Sequence, residues 1–276
     1  MLKSIKKAIW PITLVSVIIA LPFFIFGIFQ SFEVTRGAND METITQGENT
    51  EGEDTPEESS QEEEEASGEG YRFLTLGDSL ARGTGDEENL GFAGRTVEKI
   101  EQALEVPVSH ENYSLEGLRL SAMIEQLNDE RLQEEIQEAD MIMISIGGND
   151  ARDLRGITHN ERTEVIREME DGYRKDLDEI IRGIREENSE ALVVFLGLYN
   201  LDYSEENLDE TELLLGWNAI TYQRIEKEKD FVWIPTYDLF QFQLAEVLSL
   251  DQLHPNGSGY EKIANRIVEV ILPYFQ

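Results

Sequence analysis

The sequence predicts an α/β fold in three layers, with helices on both faces of a five-stranded parallel sheet. From residue 71 onwards, short runs of large apolar residues alternate with stretches patterned at the helical period, which is the order that strand–helix–strand units produce. The runs MIMISI at 141–146 and LVVFLG at 192–197 are apolar almost throughout, as strands covered on both faces must be. Each helical stretch is long enough to cross over the sheet, and right-handed crossovers place such helices on its two faces.

Taken in order, Phe73, Leu74 and Leu76 mark a first strand, which Gly77 breaks. Residues 92–104 repeat apolar side chains at helical spacing through Val97, Ile100 and Leu104. VPVSHENY, at 106–113, reads as a second strand, and 118–127 and 132–139 as short helices. After the third strand at 141–146, Val165, Met169, Tyr173, Leu177, Ile180 and Ile184 fall on one face of a long amphipathic helix and belong to the core. Strands at 192–197 and 231–234 bracket a helix at 208–227, and a closing helix runs from about 258 to 272. The pattern is that of a flavodoxin-like sheet, and no internal repeat interrupts it.

Two segments precede this domain. Residues 8–32 carry no charge, and the 22 residues from Ala8 to Phe29 would span about 33 Å as a helix, enough for a bilayer core. Lys3, Lys6 and Lys7 lie before the run and Arg36 alone soon after it, so residues 1–32 read as a cytoplasmic N-terminus and a transmembrane anchor, with the rest of the chain outside. A cleaved signal peptide has a shorter apolar region and a small-residue cleavage site, which FGIFQSFEV does not offer; either reading exports the domain. Residues 33–70 form an acidic linker: the 34 residues from Gly37 to Gly70 hold 13 of the chain's 57 acidic residues and no Lys or Arg. That stretch has too few large apolar residues to offset its ordering entropy and is expected to be a disordered tether.

The domain itself, 71–276, keeps 43 acidic against 19 basic residues, a net charge of −24 out of −34 for the whole chain. Nucleic acid and anionic membrane surfaces are excluded as partners, because nothing basic is grouped to neutralise phosphates. Such acidity is also what life in salty or alkaline medium would favour. With no cysteine there is no disulfide framework, thiolate nucleophile or Cys-ligated metal. The three scattered histidines give no zinc ligand cluster, no calcium-loop spacing occurs, and neither a metal nor a cofactor is expected.

Several polar turns follow the strands, and in a parallel sheet all such ends gather on one edge. The first strand stops at Gly77-Asp78-Ser79-Leu80, the second leads to Asn112-Tyr113-Ser114-Leu115-Glu116-Gly117, and the third runs into Gly147-Gly148-Asn149-Asp150. Asp251-Gln252-Leu253-His254-Pro255 precedes the last helix. Ligands of open α/β sheets bind at this carboxyl edge, so Ser79 is a candidate nucleophile in need of a base, an orienting acid and donors for a developing oxyanion.

These blocks, GDSL at 77–80, GGND at 147–150 and DQLHPNGSGY at 251–260 above all, resemble the SGNH hydrolases, also called GDSL esterases and lipases, and the likeness extends over residues 71–276. Carried over position by position, the resemblance implies that Ser79 is the nucleophile, His254 its general base and Asp251 the acid that orients the imidazole. It further implies an oxyanion hole made of the Ser79 backbone N–H, the Gly117 backbone N–H and the Asn149 side-chain amide. Glu116 departs from the pattern, standing where the family more often has a small residue before its glycine.

The chemistry agrees residue by residue. A serine hydroxyl attacks at neutral pH only when a neighbouring base takes its proton, and histidine is the side chain suited to that pH. Of the three histidines, His110 lies in a strand and His159 in a polar stretch before the long helix, without an acid comparably placed in a turn. His254 has Asp251 three residues earlier, within reach of its Nδ1. Asn149, held by the glycines before it, can aim an amide N–H, and Gly117 lets backbone approach a substrate closely. Two neighbouring motifs fail: Ala81 stands where a G-x-S-x-G elbow needs glycine, and Glu88 where G-x-G-x-x-G needs its third.

The expected protein is thus a membrane-anchored extracytoplasmic serine esterase acting on a lipid, an acylated glycan or a small acyl ester. The loops at 82–90 and 199–206 are expected to shape its acyl site. A non-catalytic glycan-binding module on the same fold, and an acyltransferase using the same three side chains, are the alternatives.

Overall fold

The computed structural model describes residues 70–151, 159–199 and 208–276, apart from the side chains of 159–163 and 208–210. The anchor expected at 1–32 and the linker expected at 33–70 fall outside this range, save Gly70. Among the described residues no helix is long and apolar enough to cross a membrane.

Five strands, β1 (Tyr71–Gly77), β2 (Val108–Asn112), β3 (Met141–Ser145), β4 (Leu192–Leu196) and β5 (Phe231–Ile234), form one sheet in the order β2-β1-β3-β4-β5. Every neighbouring pair is parallel, with Phe73 opposite both His110 and Met141, and Met141 opposite Leu192. The chain steps outward from β1 to β2, then returns past β1 to lay down β3. This reversal parts the connections above β1 and β3, and the crevice it leaves at their carboxyl ends is where a sheet of this order binds ligands.

Alternation along the strands supplies two cores. Leu74, Leu76, Ile142, Ile144, Val193 and Phe195 face one side, where α3 (Leu120–Gln126), α4 (Glu130–Glu138), α6 (His159–Glu187) and α7 (Leu208–Ile225) cover them. Phe73, Met141, Met143, Leu192 and Val194 face the other, under α2 (Gly91–Leu104) and α10 (Gly257–Ile271). The helix stripes match: Leu177, Ile180 and Ile184 of α6 and Ile263, Ile267 and Ile271 of α10 are at most 1% exposed. Thr75, buried among these strands, has its hydroxyl 2.8 Å from Nε2 of His110, so that histidine is partnered within the sheet.

Among the described residues, four single-turn helices carry no periodicity that the sequence could reveal. They are α1 (Ser79–Arg82), α5 (Gly148–Ala151), α8 (Tyr237–Phe240) and α9 (Leu244–Val247). The first is created by Gly77 and Asp78. Gly77 has φ +132°, and a Cβ there would overlap the Ser145 carbonyl oxygen, so only glycine lets β1 turn so tightly beside β3. Asp78 then donates its N–H to that same carbonyl at 3.0 Å and caps α1 by accepting the Leu80 N–H at 3.0 Å. Ser79 is thereby delivered to the top of the β1–β3 crevice as the first residue of a helix.

Candidate active site

Residues 79, 251 and 254, 175 positions apart at the extremes, meet above this crevice. Ser79 Oγ lies 2.7 Å from His254 Nε2, and His254 Nδ1 lies 2.6 Å from Asp251 Oδ2. The loop that carries the latter two is closed by an antiparallel bridge between Leu248 and Pro255 and by the Ser249 N–H donating to the His254 carbonyl at 2.8 Å. Inside it, Asp251 Oδ1 accepts the Leu253 N–H and the His254 N–H, both at 2.9 Å, and the Ser249 hydroxyl at 2.7 Å. One carboxylate oxygen thus folds the turn while the other is left for the ring, which is the physical reason for the three-residue spacing.

Burial pushes the Asp251 carboxyl up, but the bonds from the His254 ring, the His254 and Leu253 backbone and Ser249 outweigh it and hold the group well below the usual carboxylate range. An ionised carboxylate only accepts, so Nδ1 carries the proton and Nε2 of the neutral ring faces Ser79 with its lone pair.

The oxyanion candidates converge on the same crevice. The turn after β2 hangs from β1, since Leu115 donates its N–H to the Gly77 carbonyl at 2.9 Å. Asn112 at the end of β2 donates its amide to the Ala81 carbonyl of α1 at 3.1 Å. Asn149, in α5 above β3, gives one amide proton to the Leu118 carbonyl at 2.9 Å, which fixes it beside Gly117 and leaves its second proton. The backbone N–H groups of Ser79 and Gly117 have no acceptor among the described residues. The Asn149 amide is thus bonded to the residue that follows Gly117, and the Gly117 turn to the residue two before Ser79.

The sequence pattern of the GDSL-like lipase/acylhydrolase family matches residues 75–262, most of the folded domain. The chain belongs to that family. It is 32% identical over 202 residues to the spore germination lipase LipC of Bacillus licheniformis, covering 71% of this chain and 94% of that one. The same identity over the same length, 71% of this chain and 79% of the other, relates it to the uncharacterized protein YpmR of Bacillus subtilis. Among solved structures, the lipase Lip_vut3 from a goat rumen metagenome superposes with a TM-score of 0.66 at 29% identity, covering 72% of this chain and 96% of its own. The chain is accordingly a carboxylic ester hydrolase of the SGNH/GDSL type.

Other residues of this acylhydrolase have roles that the sequence hid. The loop at 82–90, expected to shape the acyl site, lies along the loop that carries His254: a Cβ on Gly85 would stand 2.9 Å from the His254 Cβ. Tyr199 stacks on Phe240 with ring centroids 4.5 Å apart and donates its hydroxyl to the Leu253 carbonyl at 2.9 Å, supporting the same loop. Residues 200–206 of the second expected acyl loop are outside the described range, as is the side chain of His159. Among the described residues no three His, Asp or Glu side chains group as metal ligands.

Asp78, next to the candidate nucleophile, is 6% exposed. Burial pushes its carboxyl up to about 7, against the bonds it accepts from Leu80 and Ala81, and the nearby charge of Asp150 pushes the same way. The folded state then binds the Asp78 proton more tightly than the unfolded chain, whose carboxyl titrates near 3.8. For this group stability is greatest below about pH 4, falls as the pH rises to about 7, and changes no further above it. Asparagine at 78 keeps the acceptor for Leu80 and removes the titration. The thermal midpoint of Asp78→Asn, relative to the parent, is therefore expected to climb between about pH 4 and pH 7, and a pH-independent difference would refute this account.

Proposed function

We propose that this acylhydrolase cleaves its ester through an acyl-enzyme on Ser79, with His254 as general base and then general acid and Asp251 as the group that orients and compensates the imidazole. The observation that carries the reading is the continuous pair of contacts, 2.7 Å from Ser79 Oγ to His254 Nε2 and 2.6 Å from His254 Nδ1 to Asp251. Ser79 Oγ attacks the ester carbonyl while its proton passes to Nε2. The carbonyl oxygen gains charge facing the N–H groups of Ser79 and Gly117 and the free amide proton of Asn149. His254 returns the proton to the leaving alcohol, and a water, deprotonated by the same nitrogen, releases the acid.

The same reading places the enzyme outside the cell, tethered by the apolar stretch at 8–29 and an acidic linker, with the lysines at 3, 6 and 7 holding the N-terminus in the cytoplasm. Its substrate is then an ester presented at or near the cell surface. Support comes from the uncharged length of that stretch, which matches a bilayer core.

Labelling by a fluorophosphonate tests the chemistry: the full-length chain should be modified at Ser79, and Ser79→Ala should not react. Labelling that persists in Ser79→Ala overturns the assignment. Protease added to intact cells should digest the domain, and protection would contradict the topology.

A further inference from the structure

Residues 84–88, between α1 and α2, touch the turns that carry Ser79, Gly117 and His254 yet supply no group to the reaction. Thr84 alone makes three bonds. Its N–H donates to the Ser79 carbonyl at 3.0 Å, its carbonyl accepts the hydroxyl of buried Tyr260 of α10 at 2.7 Å, and its own hydroxyl donates to the Glu116 carboxylate. Glu116 immediately precedes Gly117, so the departure from the family pattern at that position has a partner: it ties the Gly117 turn to the segment that leaves the nucleophile.

Two residues on, the segment is bolted down. Asp86 is buried and accepts the Gly91 N–H at 2.8 Å and the Arg95 guanidinium at 2.8 Å, which fixes it to the start of α2. Glu87 then accepts the N–H of Gly257, the first residue of α10, at 2.9 Å. Gly257 is pressed against this pair so closely that a Cβ would stand 3.1 Å from both Asp86 and Arg95. Only Pro255 and Asn256 separate Gly257 from His254. Between the two anchor points Gly85, at φ +93°, lies flat on the His254 loop, where a Cβ would come within 2.7 Å of the Pro255 carbonyl oxygen.

We propose that residues 84–88 are a positioning brace in which the Thr84–Glu116 hydrogen bond sets the Gly117 N–H, and the Glu87–Gly257 hydrogen bond sets His254, both relative to Ser79. Nucleophile, base and oxyanion donor come from three separate turns, with Ser79 and His254 175 residues apart in sequence. A serine–imidazole contact and an N–H aimed at a nascent oxyanion each lose their effect when displaced by about 1 Å, which can cost about 10²-fold in rate. A common strut bonded to all three turns holds those distances without touching substrate. Thr84 and Glu87 are therefore positioning residues, and the proposal rests on the roles given above to Ser79, His254 and Gly117.

The test uses the full-length chain and a soluble ester. Thr84→Val, nearly isosteric and without the hydroxyl, is expected to lower kcat about tenfold with KM changed less than about twofold, and Thr84→Ser to restore it. Glu87→Ala is expected to do the same, and Glu87→Gln, whose amide oxygen still accepts the Gly257 N–H, to restore it. Glu87 is exposed and Thr84 half-buried, so thermal midpoints should stay within a few degrees of the parent. The brace is overturned if both truncations keep kcat within about twofold, if their losses follow the unfolded fraction at the assay temperature, or if the Ser and Gln variants fail to recover. Ser79→Ala run alongside separates the two levels. Full activity there would remove the reading on which the brace depends, whereas an inactive Ser79→Ala beside normal Thr84→Val and Glu87→Ala would remove the brace alone.

Discussion

Alanine at Ser79 is expected to lower kcat on a soluble ester by at least about 10⁴-fold, alanine at His254 by a similar factor, and the double replacement by no more than the worse of the two. The reason is the single contact of 2.7 Å through which they act. Without the hydroxyl the imidazole has nothing to deprotonate but water, and without the imidazole the hydroxyl keeps its proton. Removing the second member of the pair therefore removes nothing further. What survives in each case is catalysis by the oxyanion donors and by substrate binding, which in comparable serine hydrolases is about 10³ to 10⁴ over the uncatalysed reaction. KM should move little, because neither group is needed to hold the ground state. Asn149→Ala makes the contrast: it removes one donor among three and should cost about 10² to 10³ in kcat. Steady-state kinetics on the four variants decide the matter, and a double variant whose loss is the product of the single losses would show that the two residues act independently.

How much of this could be seen in the sequence depended on whether the determining contacts are local. The strands at Met141–Ser145 and Leu192–Leu196 were legible because both faces are buried and every position but Ser145 is apolar. The helix face from Leu177 to Ile184 was legible because its spacing repeats. Asp251 and His254 were readable as a pair because three residues of turn separate them and the carboxylate closes that turn itself. The flavodoxin-like sheet was read from the order of its elements, and its strand order locates the crevice between β1 and β3. The single-turn helices were not legible, since four residues have no period, and Asp78 gave no sign that it would cap one of them and be buried. Nor was the link from Glu87 to Gly257, a carboxylate and a backbone N–H 170 residues apart, because a glycine in sequence does not announce what its N–H will meet. The partner of Glu116, which departs from the family pattern, was hidden for the same reason: Thr84 is 32 residues away.

Asparagine at 251 is expected to be nearly as damaging as alanine at His254, about 10⁴-fold in kcat, although it changes one atom and should leave the loop folded. The carboxylate does two things with two oxygens. Oδ1 takes the N–H groups of Leu253 and His254 and the Ser249 hydroxyl, and an asparagine carbonyl can take all three in its place. Oδ2 accepts from His254 Nδ1 at 2.6 Å, and there asparagine presents an N–H instead. Two donors cannot share that contact, so the ring moves its proton to Nε2, and the nitrogen facing Ser79 becomes a donor with no lone pair to receive the hydroxyl proton. The imidazolium formed during attack also loses the negative charge beside it, which at present stays ionised into strong acid because the four bonds that the carboxylate accepts favour the charged form. For Asp251 the folded carboxyl is the stronger acid, so its contribution to stability is present above the unfolded value of 3.8 and is lost as the pH falls towards the folded one. Asp251→Asn should therefore match the parent's thermal midpoint closely in strong acid and fall below it at neutral pH. The tautomer account predicts a kinetic loss far larger than that stability change, with fluorophosphonate labelling slowed to the same degree as ester hydrolysis. If Asp251→Asn hydrolyses esters within about tenfold of the parent while Asp251→Ala does not, the aspartate acts by folding its turn, and the orientation of His254 must be assigned to another group.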